Sequence, residues 1–95
     1  MTRSEEWKID VFLSEEEGTT KARAVLDTGA TKLTGSGTAH CNPQDVDVPK
    51  IGDELAASRA MTNLGRRLMS MADRDLEDMG GGAESVKQTS VQTGP

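Results

Sequence analysis

Residues 24–40 read "AVLDTGATKLTGSGTAH", and how this stretch turns decides the fold. Setting Leu26 opposite Leu33 puts Asp27 across from Lys32 and Thr28 across from Thr31, with Gly29-Ala30 left as a two-residue loop. Glycine at the first of two loop positions is the type II′ hairpin signature, because that position needs a positive φ. Asp27 and Lys32 then face each other as an ion pair beside the turn. Beyond it, Leu33, Gly35, Gly37 and Ala39 share one side of a strand, and Thr34, Ser36, Thr38 and His40 share the other. Small side chains on the first side let another element pack close against it.

Working back toward the amino terminus, Ala22, Ala24 and Leu26 alternate with Lys21, Arg23 and Val25. Before the break at "SEEEG", Trp7, Ile9, Val11 and Leu13 alternate with Lys8, Asp10 and Phe12. A register with Leu13 opposite Thr20 pairs Val11 with Ala22, Ile9 with Ala24 and Trp7 with Leu26, and brings Asp10 to Arg23. Toward the carboxyl terminus, "CNPQDVDVPK" is a polar connection bounded by prolines. The proline-free run from Ile51 to Met79 follows helical spacing through Ala57, Met61, Leu64, Leu68, Met71, Ala72, Leu76 and Met79. Asp53 and Glu54 near its start suit the positive end of the helix dipole, and Gly80 to Gly82 stop it. The expected fold is α+β, a three-stranded antiparallel sheet followed by one long helix, β-β-β-α, as a single domain over residues 1–79. Residues 80–95, rich in Gly, Ser, Thr and Gln, have little to bury and are expected to be disordered.

The chain has 95 residues, of which 34% are apolar and 2% aromatic, so its core must be thin. Phe12 and Val25 on the outer sheet face and Leu55 on the far side of the helix remain uncovered, and a homodimer interface would use them. A formal charge of −5 opposes nucleic-acid or membrane binding except through a local basic patch. A single cysteine, no signal-peptide run and no segment of bilayer-spanning length suggest a soluble cytoplasmic protein.

Several motifs carry possible chemistry. Asp27-Thr28-Gly29 matches the catalytic tripeptide of retroviral-type aspartic proteases, which work as homodimers with one carboxylate from each chain. No β-rich second half with a glycine flap accompanies it, so the turn is preferred and no catalytic residue is assigned. His40 and Cys41 adjoin, yet no second His or Cys exists to complete a metal site. Gly35-Ser36-Gly37 lacks the following Lys-Ser or Lys-Thr of a phosphate loop, and core packing explains it better. No cofactor and no small-molecule substrate are inferred. On a helical wheel, Arg59, Arg66, Arg67 and Arg74 share one face with Asn63 and Ser70, and Lys21 and Arg23 lie on the outer sheet face with Lys8. Either group suits a phosphate backbone. The competing reading is a solvated face on which Asp73 and Glu77 pair with the arginines.

The run "WKIDVFL…EGTTKARAVL…LTGSGTAHCNPQDVDVPKIGDELAASRAMTNLGRRL" resembles small actinobacterial proteins described as dsRBD-like domains of unknown function. Its most specific piece spans residues 42–60, "NP-x-D-x-x-VP-x-IGDELA-x-x-RA". The resemblance implies three antiparallel strands and a long helix, an intertwined homodimer, and an association with hypoxia, stress and dormancy. A likeness to ribosome-hibernation-promoting factors further implies contact with the ribosome or structured RNA. Double-stranded-RNA-binding domains grip phosphates with a lysine-rich helix start, whereas this chain has Asp53-Glu54 there. The function expected first is a non-enzymatic dimeric factor docking through Arg59, Arg66, Arg67 and Arg74, helped by Lys21 and Arg23. The alternative is a protein–protein interaction module with no nucleic-acid role.

Overall fold

A computed structural model describes residues 2–42 and 48–80. Strands β1 (Lys8–Glu16), β2 (Thr19–Asp27) and β3 (Lys32–His40) form one antiparallel sheet in the order β1-β2-β3, and helix α1 (Pro49–Asp78) follows. The fold is therefore the expected α+β arrangement. The expected disorder beyond Gly80, and most of the connection between β3 and α1, lie outside the described residues.

The β2–β3 register follows the sequence expectation, but the Thr31 N–H donates to the Thr28 hydroxyl at 3.1 Å instead of closing a type II′ turn on the Thr28 carbonyl. Leu26 faces Leu33 and Asp27 faces Lys32. Gly29 has a φ of 93°, and the Thr28 N–H donates to the Thr31 carbonyl at 3.0 Å. The ion pair does not form. Instead the Asp27 carboxylate accepts from the Gly29 N–H at 2.9 Å, a local bond that holds the turn and competes for the same oxygen.

The β1–β2 register differs by two residues from the expected one. Leu13 faces Ala22, Val11 faces Ala24 and Ile9 faces Leu26, so Arg23 meets Phe12 rather than Asp10. A slip of two leaves every side chain on its own face, so apolar alternation alone does not distinguish the registers. The turn does. Glu17 and Gly18 both have positive φ, 51° and 79°, giving a two-residue type I′ turn that closes the pair at Glu16 and Thr19. Glutamate in this conformation is strained. Replacing Glu17 with Asn should raise stability by roughly 0.5–1 kcal/mol in urea unfolding; a destabilised variant would contradict the turn assignment.

Helix α1 begins at Pro49, which tolerates the first helical position because its missing N–H would be unpaired there anyway. Asp53 and Glu54 consequently lie in the second turn, beyond the effective reach of the dipole, and not at the start as expected. At the other end, Gly80 with φ 83° donates its N–H to the Glu77 carbonyl at 2.9 Å, closing the helix as its position suggested.

The core lies between α1 and the β2–β3 half of the sheet. Its buried apolar side chains among the described residues are Ala22, Ala24, Leu26, Ala39, Ala56, Ala60 and Leu64. Five of these seven are alanines because the helix backbone rests on strand backbone. A Cβ placed on Gly35 would stand 2.4 Å from the Leu64 nitrogen, and one on Gly37 would stand 2.4 Å from the Ala60 nitrogen. The glycines thus select small helix residues, and the packed stripe runs Gly52, Ala56, Ala60, Leu64, Leu68. It does not pass through Ala57 and Met61 as periodicity suggested; Met61 is 46% exposed.

Because α1 is drawn onto β3, it leaves β1 uncovered. Trp7, Ile9, Val11 and Leu13 sit on the helix side of the sheet yet remain 38–48% exposed. Thus large apolar side chains outside the core outnumber those within it.

Candidate nucleic-acid interface

Helix length and sheet width together create the candidate site. About 21 Å of helix follows Leu64, whereas about 10 Å of β3 precedes Gly35, so roughly the last two turns run past the end of the sheet. Beyond Leu64 the packed stripe reaches its last side chain at Leu68; Arg67 adjoins Leu68 and Arg74 lies past it. Arg59 and Arg66 flank the same side, and all four are exposed. The described residues include one ion pair within 4.0 Å, Arg3 with Glu5 at 3.6 Å. Asp73 and Glu77 therefore do not engage these guanidinium groups within that distance, so their charge is available to solvent; of the four, Arg74 stands on the overhanging turns.

Arg59 has a second task. Its Nη1 donates to the Thr38 carbonyl at 2.7 Å, and the Asn63 Oδ1 accepts from the Ser36 N–H at 3.0 Å. These side chains occupy two main-chain groups on the edge of β3 that no strand covers, so the helix partly blocks that edge. Lys21 and Arg23 lie elsewhere. Both are exposed on the sheet face opposite the helix, paired with Thr38 and Ser36, and the Arg23 guanidinium lies 4.9 Å from the centre of the Phe12 ring. The structure brings the four arginines to one side of α1 and places Lys21 and Arg23 around the β3 edge from them, not in the same patch.

The side chains expected at a dimer interface are likewise dispersed. Phe12 is 51% exposed and Val25 half-buried on the outer sheet face, whereas Leu55 is on the helix and lines a cavity of about 190 Å³ with Thr20, His40, Val48 and Ile51. The more continuous apolar surface escaped the sequence reading. It is a groove of about 180 Å³ lined by Trp7, Ile9, Leu26, Met61, Leu64 and Leu68, between β1 and the helix. Its signal was present in Gly35 and Gly37: a helix fixed on β3 by two glycines cannot also cover β1.

Asp27 serves the hairpin turn, as described, and the described residues contain one sheet of three strands without a second β half. His40 Nδ1 lies 2.9 Å from the Thr19 hydroxyl. No group of three or more potential metal ligands occurs among the described residues. No helix among them is long and apolar enough to cross a membrane.

Comparisons with known proteins agree with this architecture. The crystal structure of Rv2632c superimposes with a TM-score of 0.77 at 32% identity, covering 84% of this chain and 95% of that one. In sequence, the uncharacterized protein Mb1767 of Mycobacterium bovis (strain ATCC BAA-935 / AF2122/97) is 42% identical over 71 residues, 75% of this chain and 76% of the relative. The uncharacterized protein Rv2632c of Mycobacterium tuberculosis (strain ATCC 25618 / H37Rv) is 37% identical over 70 residues, 74% of this chain and 75% of its own length. The family described as Rv2632c-like matches residues 5–85. On the strength of the shared β-β-β-α fold and this match, the chain belongs to the Rv2632c-like family.

Proposed function

We propose that this chain is a non-catalytic homodimeric factor that docks on the ribosome or on structured RNA through Arg59, Arg66, Arg67 and Arg74, in the stress or dormancy setting that the family resemblance implies. The observation that supports it is the arginine side of α1, exposed, free of carboxylates within 4.0 Å and continuing past the sheet at Arg74. A guanidinium bonds phosphate oxygens in a bidentate fork, and several on one rigid helix track a backbone without reading its sequence. The net charge of −5 resists approach at long range, so binding should be sensitive to added salt. Lys21 and Arg23 would engage a second segment of the same partner around the β3 edge.

The test is ribosome co-sedimentation at low and high salt. Arg66→Glu with Arg67→Glu should weaken association at least tenfold while leaving the helical circular dichroism intact. No association at low salt, or association indifferent to that double change, would sink the proposal. Recovery of a protein partner without rRNA in pull-downs would favour the interaction-module reading, which the outer face around Phe12 and Val25 would serve.

Dimerisation is proposed from the groove beside β1. A second copy that laid the same face there would remove Trp7, Ile9, Val11, Leu13 and Met61 from water, burying apolar area the single chain leaves open. Trp7 is the chain's one tryptophan, which makes it a reporter. Its emission should shift to the blue as concentration rises, light scattering should give twice 10.1 kDa, and Val11→Asp should abolish both changes. A concentration-independent spectrum with a mass of one chain would refute the pairing.

A further inference from the structure

Three hydroxyl side chains lie on α1: Ser58, Thr62 and Ser70. Two of them turn back onto the helix. The Ser58 hydroxyl donates to the Leu55 carbonyl at 2.9 Å, and the Thr62 hydroxyl donates to the Ser58 carbonyl at 2.9 Å. Ser70 is exposed and makes no such bond among the described residues. It also stands in a particular setting. Residues three and four apart are neighbours on a helix surface, so Arg66, Arg67 and Arg74, at −4, −3 and +4, all surround its position. Asp73, at +3, is the one carboxylate at such spacing. Nine residues at about 100° each separate Ser70 from Met61, so it faces away from the groove proposed to pair two copies.

We propose that Ser70 is a phosphoacceptor whose modification switches off the arginine face. The donor would be a nucleoside triphosphate and the catalyst a serine/threonine kinase that reads basic residues upstream of its target. In the transfer, Ser70 Oγ attacks the γ-phosphorus and a new O–P bond forms. The bond from that phosphorus to the β-phosphate oxygen breaks, the nucleoside diphosphate leaves with the electron pair, and the hydroxyl proton passes to the kinase's carboxylate base. The acceptor must leave its helix to enter a kinase cleft. That opening is easiest here, because the stripe packed on the sheet ends at Leu68 and the following turns lack that support. The product carries close to two negative charges and three acceptor oxygens, placed among three guanidinium groups. Those groups then bind the chain's own phosphate instead of an external one. The assignment of Ser70 stands on geometry; its consequence for binding rests on the reading under Proposed function.

The experiment uses the full chain, a basophilic serine/threonine kinase and Mg-ATP, with fragment mass spectrometry to map the phosphate. Phosphate should appear on Ser70 and vanish in Ser70→Ala. Absence of incorporation, or incorporation at Ser58 or Thr62 instead, would overturn the assignment. In phosphorus NMR of the product, the second ionisation should fall below the ordinary phosphoserine value of about 6 and return to it in urea; an ordinary value in the folded protein would show that no cage exists. Ribosome association should drop at least tenfold on phosphorylation. If the unmodified chain never binds, the docking reading fails, while mapping and NMR still judge the caged phosphoserine. If the unmodified chain binds and the modified one binds equally well, the switch is refuted.

Discussion

Gly37→Ala should cost about 3 kcal/mol, the upper end of what overpacking a well-filled core does, and Gly35→Ala should cost a similar amount. The reason is which atoms stand in the way. A methyl on Gly37 would meet the Ala60 nitrogen at 2.4 Å and the Ala56 carbonyl oxygen at 2.6 Å; on Gly35 it would meet the Leu64 nitrogen at 2.4 Å. These are main-chain atoms of a continuous helix, so no rotamer change relieves the clash. Shrinking Ala60 to Gly should therefore fail to rescue Gly37→Ala. The two substitutions together should leave no cooperative transition in a domain whose whole stability is on the order of 5 kcal/mol. Gly65 supplies the contrast. It lies inside the helix with nothing within 4 Å of where a methyl would stand, so Gly65→Ala should stabilise by up to about 1 kcal/mol. Urea unfolding of these five variants decides the matter, and unchanged midpoints for Gly35→Ala and Gly37→Ala would mean the helix does not rest on β3.

Leu64→Ala should cost about 2–5 kcal/mol, the range for truncating a fully buried leucine. Leu64 is 4% exposed and, with Leu26, is one of two large side chains in a core otherwise made of alanine. Little else can collapse into the hole. Leu68 is only partly buried, so Leu68→Ala should cost about 1–2 kcal/mol. Met61→Ala should cost little within one chain, and any loss should grow with protein concentration, because Met61 lines the groove assigned to the second copy. Thermal melts at two concentrations separate these cases. A Leu64→Ala loss under about 1 kcal/mol would contradict the packing described.

How far the sequence could be read depended on whether one residue type settled a choice. Gly29 marked the β2–β3 turn through its positive φ, and the Leu26–Leu33 register followed. Gly80 likewise marked the end of the helix. The β1–β2 register lacked such a marker, because Glu17 is a poor candidate for the conformation it adopts and both registers keep the same faces. The helix stripe was misplaced for a different reason. Hydropathy favoured Met61, whereas the opposing glycines left room only for Ala56 and Ala60. The arginine side was legible from helical spacing alone. That Arg74 hangs beyond the sheet, and that Lys21 and Arg23 lie around the edge from the other arginines, required the relative lengths and placement of helix and strands.

Arg59 and Asn63, by occupying two outer main-chain groups of β3, also bear on how far assembly can proceed. A ribbon of strands open at both margins is a building block for fibres, since each added unit exposes a fresh margin for the next. Here α1 engages two groups of the β3 margin, which leaves the β1 side the more open to another molecule. If two copies pair there as proposed, the margins left to a third are the partly occupied β3 edges, which would disfavour growth into filaments.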